Sequence, residues 1–203
     1  MLPKSAAVLI WVLGIVSFSF TSAQTINLPT LKPGIFEASA RIEIDAPLLD
    51  VWNVLLDFPA YSEWNPFVRS QVVADHFRVP TPDQVVEEDR RLIIKVQIPP
   101  LQNPVDANSP SNPFHSQVSL ENITHIDVGN RRMAWRAIFL PEQLLDSERW
   151  QALSTSEEGK TLYEAREIFR GPLSHVVDAL FAKGLQDGFD AQAVALKTRT
   201  ENQ

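Results

Sequence analysis

The chain has 203 residues, of which 25 are acidic and 18 basic, giving a formal net charge of −7, and it contains no cysteine. This length predicts one domain, large enough to bury a core without disulfide bonds. The acidic balance, without clustered lysine and arginine, argues against nucleic-acid binding. The absence of cysteine excludes a thiolate nucleophile and a zinc–thiolate site.

The first segment has the layout of a secretory signal peptide. Lys4 precedes an apolar run at 6–16, and Thr21 and Ala23 occupy the two small-residue positions that signal peptidase requires. We predict cleavage after Ala23, which removes residues 1–23 and makes the protein secreted or extracytoplasmic. The alternative is an uncleaved membrane anchor, but the apolar run is shorter than the ~20 residues that span a bilayer. We therefore expect no stable membrane span after cleavage.

The first predicted elements are a strand and two short helices, which follow an N-terminal extension at 24–35. Residues 36–45 alternate apolar and polar side chains, which is typical of a strand with one wet face. A helix follows, with Pro47 in its first turn and apolar residues at helical spacing until Pro59. A second short helix or turn is predicted at 61–67.

A meander of strands makes up the middle of the chain. Residues 99–113 interrupt it with five prolines and no hydrophobic periodicity, which predicts a loop of unusual length for a compact domain. This loop is a candidate lid. The strands are predicted at 68–75, 91–98, 117–127, 131–139, 148–156 and 161–170.

The last predicted element is a long helix at 174–198. Gly184 and Gly188 lie four residues apart, so they share one face of this helix. A glycine inside a helix costs about 1 kcal/mol relative to alanine, so two on one stripe indicate that space beside the backbone is kept open. The alternative is close contact between helix and sheet. The order of elements predicts an α+β fold in which a curved antiparallel sheet grips the last helix.

Over residues 36–199 the chain resembles the SRPBCC superfamily, whose members are START-like or Bet v 1-like. The similar segments are IEIDAPLLDVWNVLLDFPAYSEWNPFV, ITHIDVGNRRMAWRAIFLPEQLLDSERWQAL and TLYEAREIFRGPLSHVVDALFAKGLQDGFDAQAVALKTR. The matching positions include Ala46, Pro47, Trp52, Trp64, Asn65, Pro66, Phe67, Trp135, Glu167, Phe169 and Gly171. The polyketide cyclase/dehydrase and coenzyme-Q-binding START branches are the most similar.

This resemblance implies a helix-grip fold with a hydrophobic-ligand cavity between the sheet and the long helix. Known members bind lipids, quinones, sterols or polyketides. The resemblance does not imply one chemistry, because function belongs to the site and not to the fold.

The strand at 161–170 carries the candidate catalytic residue, Glu167. An inward carboxylate in an apolar cavity is costly unless it is paired, hydrogen-bonded or protonated. Glu167 is therefore a candidate acid/base or ligand anchor, and the alternative is a structural pairing with Arg149 or a backbone donor. The inward set on this strand is predicted to be Tyr163, Ala165, Glu167 and Phe169. The set facing water is predicted to be Leu162, Glu164, Arg166, Ile168 and Arg170.

The strand at 148–156 has two open orientations. Either Arg149, Gln151 and Leu153 point inward, or Trp150, Ala152 and Ser154 do. The pattern alone does not decide, and the resemblance favours the first orientation. Arg149 and Gln151 would then join Glu167 as the few polar groups of an apolar pocket. The complete set of predicted ligand-binding residues is Trp64, Phe67, Trp135, Ala137, Arg149, Gln151, Tyr163, Glu167, Gly184 and Gly188.

Several kinds of site have no support in the sequence. The four histidines lie in different elements with no i, i+4 pair, so we predict neither a metal site nor a cofactor. No G-x-S-x-G, G-x-G-x-x-G or P-loop motif is present. Asn122 begins the only N-x-S/T sequon, and it is either a glycosylation site or an ordinary strand asparagine.

Two functions fit these residues best. The leading one is a non-catalytic, exported binding or carrier protein for a small hydrophobic ligand of lipid, quinone, sterol or polyketide type. The second is a cyclase or dehydratase in which Glu167, with Arg149 or Tyr163, moves protons on a polyketide-like substrate. The first is favoured because only one inward carboxylate is predicted. A third, weaker hypothesis is an interaction protein whose cavity is filled by side chains.

Overall fold

A computed structural model describes residues 27–202, so the predicted signal peptide at 1–23 lies outside the described residues. The elements occur in the predicted order, and their ends differ from the predicted ones by no more than a few residues. The strands are β1 Phe36–Ile44, β2 Val68–Ala74, β3 Arg91–Gln97, β4 Ser116–Asp127, β5 Arg132–Ala137, β6 Asp146–Thr155 and β7 Thr161–Arg170. The helices are α1 Leu48–Leu56, α2 Tyr61–Trp64 and α3 Ser174–Glu201, with short 3₁₀ turns at Phe58–Ala60 and Pro113–His115.

The seven strands form one antiparallel sheet in the order β1-β7-β6-β5-β4-β3-β2. The first strand pairs with the last, so the two ends of the meander meet at one side of the sheet. Helix α3 packs against β1 and β7. This is the predicted α+β arrangement, in which an antiparallel sheet holds a long C-terminal helix.

The two short helices close one end of the space between the sheet and α3. Val51, Trp52 and Leu55 share one face of α1, and all three are buried. The Tyr61 hydroxyl donates a hydrogen bond to the Leu55 carbonyl oxygen at 2.8 Å, which ties α2 to α1. This end of the molecule is therefore filled by large apolar side chains.

Helix α3 has two halves with different surroundings. We name residues 174–184 the open half, where Val176 is 52% exposed and Leu180 is 68% exposed. Residues 185–201 form the closed half, which places five apolar side chains in the core and leaves Val194 on the outer face of the helix. The buried apolar side chains of the closed half are Leu185, Phe189, Ala193, Ala195 and Leu196.

The segment 27–35 crosses the outer face of the sheet, and we call it the strap. The backbone N–H of Asn27 donates to Glu164 Oε2 at 2.9 Å, and Arg170 Nη2 donates to the Lys32 carbonyl oxygen at 2.8 Å. The prediction that this face meets water was therefore wrong for three residues, because alternation within a strand carries no information about a segment laid over it. The three buried residues are Leu162, Glu164 and Ile168.

The proline-rich loop at 99–113 packs near the closed half of α3. Asn103 Nδ2 donates to the Ala191 carbonyl oxygen at 3.2 Å. Arg69 Nη2 donates to the Asp106 carbonyl oxygen at 2.8 Å, which holds the loop against β2. Within residues 27–202, no helix has the combination of length and apolar composition needed to cross a bilayer.

Candidate functional site

A cavity of about 380 Å³ lies between the sheet and the open half of α3. Most of its lining is apolar, and the size falls within the range of small-molecule pockets in proteins. Strand β3 contributes Ile94 and Val96, and the open half of α3 contributes Val177 and Phe181. The cavity exists because the open half of α3 does not pack closely against the sheet until its last residue, Gly184.

The polar groups of the cavity lie in two neighbouring rows across the sheet. In one row Trp135, Arg149 and Glu167 are direct partners on β5, β6 and β7. In the adjacent row Glu121 of β4 is opposite Ala137 of β5. The sheet thus places two carboxyl groups and one guanidinium on the same wall.

Glu167 lines the cavity as predicted for an inward residue, and its hydrogen-bond partner is a serine. Ser147 Oγ donates a hydrogen bond to Glu167 Oε1. Burial raises the pKa of Glu167 above its ordinary value, while Arg149 and the Ser147 hydrogen bond act in the opposite direction. Among the described residues, Arg149 forms no ion pair with Glu167, although the two lie side by side. The predicted pairing with Arg149 is therefore not the contact that holds this carboxylate.

A second carboxylate, Glu121, lines the same cavity and was missed by the sequence analysis. Its side chain is buried, with only 6% of its surface exposed. The pKa of Glu121 is raised to about 8, first by burial and then by the negative charge of Glu167, while Ser119 and Arg149 act in the opposite direction. The prediction of a single inward carboxylate was wrong. The only sign in the sequence that Glu121 points inward is its position two residues before Ile123, which puts both side chains on one face of β4. This sign was weak, because the opposite face of β4 carries more apolar residues.

Arg149 is held in place by aromatic rings and one hydrogen bond. Its guanidinium carbon lies 4.3 Å from the ring centroid of Phe189 and 5.6 Å from that of Phe67. Its Nη2 donates to Gln192 Oε1 at 2.9 Å. Its Nε is buried and has no hydrogen-bond partner among the described residues. The structure thus adopts the orientation of β6 that the resemblance favoured.

Behind Arg149, a buried hydrogen-bond network joins the sheet to α3. The Tyr163 hydroxyl donates to Gln151 Oε1 at 2.5 Å, and Gln192 Nε2 donates to the same oxygen at 3.2 Å. Burial raises the pKa of Tyr163 to about 12, so its hydroxyl stays protonated at neutral pH. Tyr163 and Gln151 do not line the cavity. They support Arg149 from behind, through Gln192.

Besides Tyr163 and Gln151, three more of the predicted ligand-binding residues lie away from the cavity wall. Trp64 is buried beside α1, with its ring centroid 4.9 Å from that of Tyr61. A Cβ atom added to Gly188 would lie 2.5 Å from the Phe67 ring, and one added to Gly184 would lie 2.5 Å from an Ile98 methyl group. The prediction that these glycines keep space open was wrong, because each allows close contact between helix and sheet.

The remaining predicted features also lie outside the cavity. None of the residues 99–113 is among those that line it, so the lid interpretation was wrong for this conformation. Asn122 lies on β4 between Arg91 and Arg136 in register, on the face opposite Glu121, and its glycosylation stays a prediction. In the part of the chain that the structure describes, no three acidic or histidine side chains form a metal-binding group.

Five of the predicted residues thus share the cavity wall: Phe67, Trp135, Ala137, Arg149 and Glu167. Apolar side chains provide most of the contact area, and polar groups are concentrated on one wall. Such a cavity can hold the apolar body of a ligand and orient one polar group against Arg149 and the two carboxyl groups.

Comparison with known proteins identifies the domain. The family described as polyketide cyclase / dehydrase and lipid transport matches residues 36–201. Among curated proteins, none matches the sequence.

Solved structures from several bacteria have the same fold. A hypothetical protein from Helicobacter pylori has a TM-score of 0.58 at 9% identity, covering 85% of this chain and 99% of that chain. A Thermus thermophilus protein has a TM-score of 0.53 at 16% identity, with 81% and 96% covered. A START superfamily protein from Mycobacterium smegmatis has a TM-score of 0.49 at 16% identity, with 82% and 97% covered. The first two of these similarities confirm the helix-grip fold and, at such low identity, nothing more specific.

Proposed function

The chain belongs to the polyketide cyclase, dehydrase and lipid transport family, and we propose that it is an exported carrier of one small hydrophobic ligand. The observation that carries this proposal is the cavity between the sheet and the open half of α3, which is apolar except for one polar wall. Burying apolar ligand surface there contributes about 25 cal/mol per Å². The polar wall would fix the orientation of the ligand more than its affinity.

The carrier hypothesis is tested by filling the cavity. Ala137 lines it and is flanked on the sheet by Glu121, so an Ala137→Phe substitution places a ring in the ligand volume. We expect this variant to stay folded and to lose binding of the apolar dye N-phenyl-1-naphthylamine, measured by fluorescence. Val128→Phe, at an exposed turn, is the matched control and should bind the dye as the wild type does. Equal binding by Ala137→Phe and wild type would contradict the proposal.

Native mass spectrometry of protein purified from its own source gives an independent test. A carrier is expected to retain a small apolar molecule, visible as an added mass that disappears in the Ala137→Phe variant. An unmodified mass in wild-type protein that also fails to bind the dye would contradict the carrier hypothesis.

Export rests on the signal-peptide pattern at 1–23. N-terminal sequencing of the protein collected outside the cytoplasm should begin at Gln24. A sequence that begins before residue 20 would contradict cleavage at this site.

A second candidate function is acid–base catalysis, and the observation that favours it is the pair of carboxyl groups. Glu121 and Glu167 line one cavity, and burial raises the pKa of both. A carboxyl group whose pKa lies near the working pH can donate a proton, and its ionised neighbour can accept one. Arg149 could stabilise a negative charge that develops on a substrate oxygen.

Proton exchange on a simple ketone tests this second candidate. The protein is incubated with decan-2-one in D₂O. If it is an acid–base enzyme, it should accelerate deuterium uptake at the carbon atoms beside the carbonyl group. Glu167→Gln should remove the acceleration, and the exposed Glu142→Gln should leave it unchanged. If the rate of deuterium exchange is no higher than in buffer alone, catalysis of this type is contradicted and the carrier function stands.

A further inference from the structure

The charge of the cavity wall comes from three residues. Among the residues that line the cavity, the only charged ones are Glu121 on β4, Arg149 on β6 and Glu167 on β7. The other lining residues are neutral. They are apolar residues, mainly from β3, β5, β7 and the open half of α3, together with the amide of Gln117 and the hydroxyl groups of Ser119 and Ser147. The electrostatic preference of the site therefore depends on how these three groups are charged.

Arg149 is oriented for an anion that the protein itself does not supply. Aromatic rings and Gln192 hold its guanidinium, and its Nε–H is without an acceptor although the side chain is only 5% exposed. A buried donor without an acceptor is unfavourable, and a guanidinium binds carboxylates through just such N–H groups. Arg149 lines the cavity, so a ligand oxygen there can reach its guanidinium group.

Among the described residues, neither carboxyl group is in direct contact with the Arg149 guanidinium as an ion pair, and Glu167 is bonded to Ser147 instead. Burial favours the protonated form of both carboxyl groups, and at neutral pH Glu121 is mainly protonated because its pKa is about 8. A protonated Glu121 adds a hydrogen-bond donor beside Arg149 and brings no negative charge to it.

We propose, building on the carrier function proposed above, that the ligand is a monocarboxylate amphiphile, whose carboxylate binds Arg149 and whose binding is coupled to protonation of Glu121. A cationic head group is disfavoured because it would place a second positive charge near Arg149 and require both carboxylates to ionise in an apolar cavity. A neutral head group could accept a hydrogen bond from the guanidinium but would add no negative charge beside Arg149.

The coupling gives a pH dependence with a definite sign. As pH rises through about 8, Glu121 ionises and repels the ligand carboxylate. Ionisation of Glu167 acts in the same direction. For one linked proton at this pKa, the affinity for a carboxylate should fall about tenfold between pH 7 and pH 9.

Three probes that share the same alkyl chain and differ in head group test the proposal: decanoate, decan-1-ol and decylammonium. Isothermal titration calorimetry at pH 7 should show that decanoate binds at least about tenfold more tightly than the other two, as expected for a charge-assisted pair. Titrations in two buffers of different ionisation enthalpy should show net proton uptake near pH 8. Naphthalene-2-carboxylate, compared with decanoate, distinguishes a ring system from an acyl chain as the apolar body.

Variants assign the effects to residues. Arg149→Met should abolish the preference for decanoate and keep binding of decan-1-ol. Glu121→Gln should keep decanoate binding at pH 7 and remove most of its decrease at pH 9. Glu142→Gln, on the exposed surface, should behave as the wild type. The head-group comparison on wild-type protein needs no variant, so it decides the question even if Arg149→Met does not fold.

The outcomes separate the two proposals. If decan-1-ol or decylammonium binds as tightly as decanoate, the carboxylate inference is overturned and the carrier function stands. If decanoate binds equally at pH 7 and pH 9, the coupling to Glu121 is overturned. If the N-phenyl-1-naphthylamine dye and all three probes fail to bind at any pH, the carrier function itself is overturned.

Discussion

The open and closed halves of α3 belong to one continuous helix but meet the sheet in different ways. In the closed half Phe189, which is 1% exposed, packs in the core, and Gly188 rests against the ring of Phe67. In the open half Val177 and Phe181 face the cavity instead of sheet side chains. The same secondary structure therefore provides the core at one end and the ligand site at the other.

This difference shows that the cavity begins where close packing between α3 and the sheet ends. Proteins normally pack their interiors to crystal-like density, so a space of this size must be maintained by rigid neighbours. Those neighbours are the aromatic cluster around α1 and α2, and the Gly188–Phe67 contact at the boundary. Function at the open half thus depends on stability supplied by the closed half.

The largest expected effect is a difference in the free energy of unfolding between two phenylalanine-to-alanine variants. Phe189→Ala should decrease the free energy of unfolding by about 3 to 5 kcal/mol, because it leaves a cavity in a packed region and removes the ring that stacks on Arg149. Phe181→Ala should cost about 1 kcal/mol, because that side chain already borders empty space. Urea denaturation of both variants measures the difference. Similar losses would show that the two halves are packed alike.

A second prediction concerns the stability cost of the polar wall. The pKa of Glu121 is about 8 in the folded protein against an ordinary value of 4.5, so the folded state binds this proton more tightly than the unfolded state. The contribution of Glu121 to the free energy of unfolding is therefore complete below about pH 4.5. It decreases as pH rises toward 8, by at most about 1.4 kcal/mol per pH unit.

Glu121→Gln should flatten this decrease, since glutamine does not ionise. Thermal unfolding of wild type and variant at pH 5 and pH 8 checks the effect, with Glu142→Gln as the surface control. If the wild type and Glu121→Gln lose the same stability between these two pH values, Glu121 does not have a raised pKa.

The third prediction tests the boundary between the halves. Gly188→Ala should destabilise the protein by about 1 to 3 kcal/mol, because the new methyl group meets three atoms of the buried Phe67 ring. In Gly184→Ala the new methyl group is too close to one methyl group of Ile98 and lies at ordinary contact distance from Pro99, and alanine's higher helix propensity offsets about 1 kcal/mol. We expect it to be nearly neutral in thermal unfolding. A stabilised Gly188→Ala would contradict the close contact.

The smallest expected effect concerns the proline-rich loop. Asn103→Ala removes a hydrogen bond to the closed half and should cost about 0.5 to 1 kcal/mol of stability. Dye binding should stay within twofold of wild type, because residues 99–113 do not line the cavity. A large loss of binding without unfolding would restore the lid hypothesis for this loop.

The sequence was sufficient for the fold because its signals are local and repeated. Alternation in 36–45 and 161–170 located the first and last strands, and the apolar spacing after Pro47 located α1. The order of these elements then allowed few arrangements. Inward placement of Glu167 followed from the same alternation, and it agrees with the structure.

The parts of the site that could not be predicted depend on contacts between distant segments. Glu121 sits on a strand with a register shift between Ile123 and His125, and the face opposite Glu121 is the more apolar one, so alternation favours the wrong face. Gln192 supports Arg149 from α3, a pairing across 43 residues. The two helix glycines were misinterpreted because a missing side chain allows either an open space or a close contact.

Trp135 gives the cavity a built-in optical reporter. Its indole ring forms part of the wall, and its ring centroid lies 5.8 Å from the guanidinium carbon of Arg149. The other tryptophans among the described residues, Trp52, Trp64 and Trp150, are not part of this lining. Indole emission depends on nearby charge and on water contact, so occupancy of the cavity should change the emission of this one ring. The difference spectrum between wild type and Trp135→Phe isolates that signal without any added dye.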